Sequence, residues 1–328
     1  MEQVEFTDHN ALKLQLKPPH FKRSYGVLYT YTSGSKEDTV KFNLDVTYVK
    51  TIIDRSRIFR LERDVVYVND IEPDLLADQL AYECGKVFYP LLVEVDFSGK
   101  YLGVYNHPEI ISRWKVQRPV IQEYFKGETT ERYLILMDKA IASVEQVNMI
   151  FYRELFISSF FSSLYQSYGE HFETEQTCYF PIVGMADPVQ FNVVQIIDPV
   201  LNEAHMVQLV HRGTLTDERS ARDLKEEQSY ALSKFSYPDE PSATGKYHAL
   251  YRFDAETKAI VSLVADWELD LEPIQKTQVK VFERVKSSEE EKAPLIEETK
   301  EPVMIILDGK YEKKERKITD IFNFLLGK

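Results

Sequence analysis

The sequence predicts an α+β fold, an antiparallel sheet with one face packed on helices, followed by a separate C-terminal appendage. Three observations predict it. Residues 39–50 (TVKFNLDVTYVK) alternate with period two: Val40, Phe42, Leu44, Val46 and Tyr48 share one face, and Lys41, Asn43, Asp45 and Thr47 the other. That is the pattern of a strand with one dry and one wet side. The main helical periodicity lies in the middle of the chain, roughly 73–168, with mostly strand-like segments before and after it, an order that argues against alternating βα units. Finally, residues 286–302 (KSSEEEKAPLIEETKEP) are charged, proline-bounded and poor in core formers, the composition of a linker.

The elements follow in order. Residues 1–24 are weakly patterned and end near Pro18-Pro19, which predicts an N-terminal arm. The globular domain then spans 25–285. Strands are expected at 25–32, 39–50, 57–61 and 65–68. A helix over 73–85 has Pro73 in its first turn and Gly85 after its last, with Leu75, Leu76, Leu80 and Ala81 inward. Residues 91–97 and 101–105 flank Ser98-Gly99-Lys100 as a β-hairpin. Asn106 and Pro108 open a helix with Ile110, Ile111 and Trp114 on its buried face, and Pro119 is expected to break or kink it. Residues 129–168 read as two helices, the second capped by Ser143 with Gln146, carrying Val147, Ile150, Phe151, Leu155 and Leu164 inward and ending at Gly169. Strands return at 177–183, 189–197 and 204–210. A polar helix is expected near 217–232, then a hairpin of 246–253 with 259–271, and a last strand at 277–285.

Composition narrows the function. The chain has 328 residues, 44% apolar and 12% aromatic, with 20 Tyr and 19 Phe, enough to bury a substantial core. Tyrosine suits positions that are apolar at one end and wet at the other. The net charge of −13 repels nucleic acid and anionic membrane surfaces, so neither is an expected partner. Cys84 and Cys178 make no disulfide framework and no zinc pattern. The first twenty residues carry no apolar run of signal type, and the most apolar stretch, 147–165, is interrupted by Arg153 and Glu154. The expectation is a soluble, cytoplasmic protein without membrane insertion.

Motifs of catalysis are missing from the sequence: no glycine-rich phosphate loop, no G-x-S-x-G and no H-E-x-x-H. No cofactor and no metal are expected. His205 and His211 lie about 20 Å apart on an extended strand, too far for one ion. His248, on another strand, completes the one neighbourhood that an enzyme of unknown reaction would use. Asp266, Glu268 and Asp270 alternate along one strand face, which reads as a solvated outer surface ahead of a calcium site. Cys84, at a helix C-terminus, reads as packing.

The appendage, 303–328, pairs a short strand–turn–strand with an amphipathic helix and is too small for a core of its own. Ile305, Leu307, Ile318, Ile321, Phe322, Leu325 and Leu326 therefore need a surface, whether on this chain, on another copy or on a different protein.

LLVEVDFSGKYLGVYNHPEIISRW, followed later by FDAETKAIVSLVADWELDL, resembles a broad group of bacterial proteins of the lipoprotein-carrier type. The resemblance spans about residues 25–285 and is one of fold. It implies a curved antiparallel β-sheet packed on a central group of helices and transfers no functional residue. Together these readings lead to a non-catalytic binding or assembly protein, docking into a partner or larger complex partly through its C-terminal segment. The alternative is a binder of an apolar small molecule between sheet and helices.

Overall fold

In β2 (Lys36–Ile52) Val40, Phe42, Leu44 and Val46 are buried and Lys41 is exposed, so the alternation in the sequence becomes the two faces of a sheet. A computed structural model of the chain describes residues 2–6, 12–73, 75–284 and 305–306. β2 pairs with β1 (Lys22–Ser33) and β3 (Ser56–Arg63), with β4 (Tyr67–Val68) added on β2. After α1 (Leu76–Lys86), β5 (Leu91–Val95) and β6 (Tyr101–Val104) extend this meander. The chain then turns helical: α2 (His107–Tyr124), the two-residue β7 (Phe125–Lys126), α3 (Glu128–Ala140), α4 (Val144–Tyr152) and α5 (Leu155–Phe160). A second meander follows through β8 (Glu173–Phe180), β9 (Val189–Ile197), β10 (Met206–Leu215), β11 (Gly245–Asp254), β12 (Ile260–Leu269) and β13 (Gln275–Glu283). The short helices α6 (Ala221–Lys225) and α7 (Ser233–Ser236) lie between β10 and β11.

The two meanders join where β1 lies antiparallel to β13, Tyr25 opposite Glu283 and Ser33 opposite Gln275. The result is one curved, unclosed, antiparallel sheet of twelve strands with β6 and β8 at its edges. The α+β fold expected from the sequence is the fold found. β14 (Ile305–Ile306) lies outside this sheet, parallel to β7.

The tyrosines explain how the layers are tied. Tyr25 donates to the Ile260 carbonyl (2.7 Å), Tyr165 to that of Lys258 (3.1 Å) and Tyr251 to that of Ser159 (3.0 Å), all buried. Each ring contributes apolar area while its hydroxyl satisfies a carbonyl that water cannot reach. Phe156 stacks on Phe160 at 4.7 Å, and Tyr25 meets Phe160 edge-on at 5.1 Å.

Several elements differ from expectation. The stretch 129–168 forms three helices followed by a loop. Glu154 leaves the helical conformation, and its side chain accepts from the Ile157 N–H (2.7 Å), capping α5 and separating it from α4. Beyond α5, the Leu164 and Tyr165 N–H groups donate to Ser98 O in the β5–β6 turn, which takes them out of a helix. Gly99 (φ +96°) makes room for that contact, since a Cβ there would lie 2.8 Å from both Ser162 O and the Tyr165 ring. Pro119 does not end α2: it sits on the exposed face, where the carbonyl it frees meets solvent. Ser143 caps α4 as expected. The described part of the arm packs on the body, burying Val4, Phe6, Leu14 and Leu16. The expected linker, 286–302, lies outside the described residues.

Candidate interaction surface

Three histidines were one neighbourhood on the sequence; the sheet separates them. His211 and Gln195 share an inward register position on β10 and β9, and His211 is buried, its Nδ1 3.2 Å from the Tyr247 hydroxyl. Burial, with the nearby His248 charge, pulls its pKa down to about 3, so it is neutral at pH 7. His248 sits opposite Arg212 on the other face of the sheet and is exposed. His205 lies in the turn before β10, 3.3 Å from Glu2. The three imidazoles do not converge.

The acidic strand is likewise spread over separate partners. Asp266 accepts from Gln278 (2.5 Å), Glu268 pairs with Lys276 (2.7 Å) and Asp270 accepts from Thr244 (2.5 Å). Among the described residues no three His, Cys, Asp or Glu side chains gather into a metal-sized cluster. Burial raises the Cys84 thiol to about 12, which leaves it unreactive and makes it a packing residue. Between sheet, arm and α5, Leu16, Phe21, Arg57, Phe59, Phe160 and Tyr165 line a cleft holding about 20 Å³. That is room for one water, whereas a drug-sized ligand needs roughly 300 Å³ or more.

The feature that stands out chemically was hidden in the expected polar helix at 217–232. Only Ala221–Lys225 is helical there, and the connection from β10 to β11 is otherwise an ordered loop. It is locked from beneath. Arg219 pairs with Asp217 (2.6 Å), and its guanidinium also donates to the carbonyls of Asp187, Gln228 and Pro188. Ser220 and Asp223 form a capping box around α6. The buried Asp223 carboxylate further accepts from the Ser233 N–H (2.8 Å) and hydroxyl (2.7 Å). Burial works to raise the Asp223 pKa, but the hydrogen bonds from Ser233 and Ser220 outweigh it and hold the group below the usual carboxylate range.

Fixing Ser233 inward turns its neighbours outward. Phe235 is 85% exposed, Tyr230 71%, Tyr237 59% and Leu232 45%. Backbone bonds from Phe235 N to Leu232 O and from Tyr237 N to Ser233 O set these side chains around one tight turn. All four stand exposed within eight consecutive residues, a local concentration of large apolar side chains facing water. Charges of both signs flank it in the same loop: Glu226 is paired with Arg222 (3.0 Å), Glu227 accepts from the Met185 N–H (3.2 Å), and Lys225, Lys234, Asp239 and Glu240 lie nearby in sequence.

A signal for this ledge exists in the sequence. YALSKFSY lies between two paired strands, rich in aromatics yet without a core-forming period, in a connection far longer than a hairpin needs.

Of the C-terminal residues expected to bind a partner, Ile305 lies in β14, opposite Phe125, with Ile306 opposite Lys126. Leu307, Ile318, Ile321, Phe322, Leu325 and Leu326 lie outside the described residues. No helix among the described residues is long and apolar enough to cross a membrane. In comparisons with known proteins, no family model and no curated sequence matches this chain.

Proposed function

We infer that this chain is a non-catalytic binding or assembly protein and that the ledge of Tyr230, Leu232, Phe235 and Tyr237 is its docking surface. The observation that carries this reading is the contrast between a rigid base and a bare top. A buried Arg–Asp pair and a four-way Asp223 network hold a turn whose large apolar side chains face water. Ordering that turn in advance lowers the entropy lost on association, as a docking element requires. Aromatic side chains are enriched at the centres of protein interfaces.

Photocrosslinking in cells that express the protein natively tests this. A benzoylphenylalanine at position 230 or 235 is expected to give the same discrete adduct with one protein. The same group at Ile53, which is 83% exposed at the tip of another hairpin, is the control and gives none. An adduct with a second copy of this chain would make self-association the function. Adducts indistinguishable among the three positions, or none at 230 and 235, would overturn the reading.

A further inference from the structure

We propose that the cleft between the end of β3 and the α1–β5 connection binds a small organic anion, a carboxylate or a phosphate monoester, through the guanidinium of Arg63. The inference does not depend on the ledge. The cleft holds about 260 Å³ and opens to solvent beside the exposed Glu62 and Lys86. Arg63 ends β3 and Asp64 follows it, Tyr82 and Lys86 come from the C-terminal half of α1, and Tyr89 belongs to the residues leading into β5.

Arg63 is half-buried, and its guanidinium lies over two rings, 4.6 Å from the centre of Tyr89 and 5.6 Å from that of Phe42. Rings attract a guanidinium by its face and leave the N–H groups around its edge free to donate. Those donors are unspent. Among the described residues the Arg63 guanidinium makes no hydrogen bond and no ion pair, and none of its nitrogens is sealed from solvent. Arg55, Arg118, Arg153 and Arg219, by contrast, each sit on a carboxylate. The buried Glu154 senses the Arg63 charge at longer range, but its oxygens are bonded to the Tyr29 hydroxyl and the Ile157 N–H.

The other charges of the cleft already have partners. Arg60 bonds Glu62 (2.7 Å), the Asn43 amide donates to Asp64 (3.3 Å), and Lys86, over the Tyr82 ring, pairs with Glu83 (2.8 Å). The chain's negative field works against any anion, so attraction alone does not select one. Selection falls to the Arg63 fork, whose parallel N–H donors match two oxygens of a carboxylate or phosphate. The two rings hold that fork in place before a ligand arrives, which lowers the entropy lost on binding. At a volume just under the roughly 300 Å³ of a drug-sized site, the ligand is a small metabolite, with binding in the millimolar range.

Titrating the full chain with acetate and, separately, with inorganic phosphate tests the site, with chloride at matched ionic strength as the control. The readout is the Arg63 Nε–H signal in ¹H–¹⁵N NMR spectra, assigned through the residue's own backbone amide. At least one probe is expected to shift it saturably, and the probe that saturates at the lower concentration tells carboxylate from phosphate. Arg63→Lys keeps the charge and loses the fork. In that variant, affinity read from the Lys86 and Tyr89 amides should fall at least about tenfold, with the β12 amides unmoved as the check on folding. The titration of the natural chain stands without the variant. No saturable shift with either probe, the same shift with chloride, or undiminished affinity in a folded Arg63→Lys chain would overturn the proposal.

Discussion

Tyr29, at the centre of β1, donates a 2.5 Å hydrogen bond to Glu154, the residue that caps α5. The same hydroxyl accepts from the Phe156 N–H at 2.9 Å, so one side chain of the sheet holds the start of the helix through two bonds. Glu154 is buried; desolvation raises its pKa, while the bonds from Tyr29 and from the Ile157 and Phe156 amides oppose the rise.

Tyr29→Phe should therefore cost about 1–3 kcal/mol, with both groups left without their partner in the core. The pH dependence has a definite sign. An acid whose folded pKa lies above its unfolded value favours the fold at low pH, and that contribution fades as pH rises through the folded pKa. Without the Tyr29 bond the folded pKa rises further, so the variant should be penalised more at pH 8 than at pH 5. Urea midpoints at the two values check this, and an equal penalty at both would count against it.

His211 gives the opposite slope. Its folded pKa of about 3 lies below the ordinary 6.5, so the unfolded chain binds a proton first as pH falls. Stability from this residue is complete above pH 6.5 and declines below it, by at most about 1.4 kcal/mol per pH unit. His211→Leu removes the bond to the Tyr247 hydroxyl but also the buried Nε2 that has no partner, so it should cost no more than about 1 kcal/mol at pH 7 and should show a shallower decline between pH 6.5 and 5. Denaturant titrations across that range read both effects.

Asp223 links stability to the ledge. Replacing it with Ala removes the capping box and leaves the Ser233 N–H and hydroxyl without their acceptor, a loss of about 2–4 kcal/mol. Hydrogen exchange should rise first in 228–238, before any change in β12. Uniform acceleration throughout the sheet would show that the turn is not a separately held unit.

Much of the sheet was legible because period-two alternation is a local signal: β2, β9 and the β11–β12 pair stand where residues such as Phe42, Phe191 and Tyr251 place them. What was hidden depends on partners distant in the chain. Apolar periodicity continues past Glu154, and the break there is fixed by the Glu154 cap together with Tyr29, from another layer. Leu164 is fully buried as expected, but in a loop bonded to Ser98 and not in a helix. His205, His211 and His248 looked like neighbours because strand order brings them near, whereas register decides which face each occupies. The ledge was missed for a related reason. Asp223 reads as an ordinary polar residue of a surface helix until its burial with Ser233 shows that the two anchor a turn, leaving Phe235 and Tyr230 outside.

The central claim, that the ledge docks a protein, is tested most directly by the dissociation constant of the crosslinked partner for the natural chain and for Phe235→Ser with Tyr230→Ser. These side chains touch little of the body, so folding stability should stay within about 0.5 kcal/mol per substitution. Affinity should fall at least tenfold, the effect of removing aromatic anchors from an interface centre (about 1.4 kcal/mol or more). An unchanged dissociation constant at unchanged stability would contradict the account.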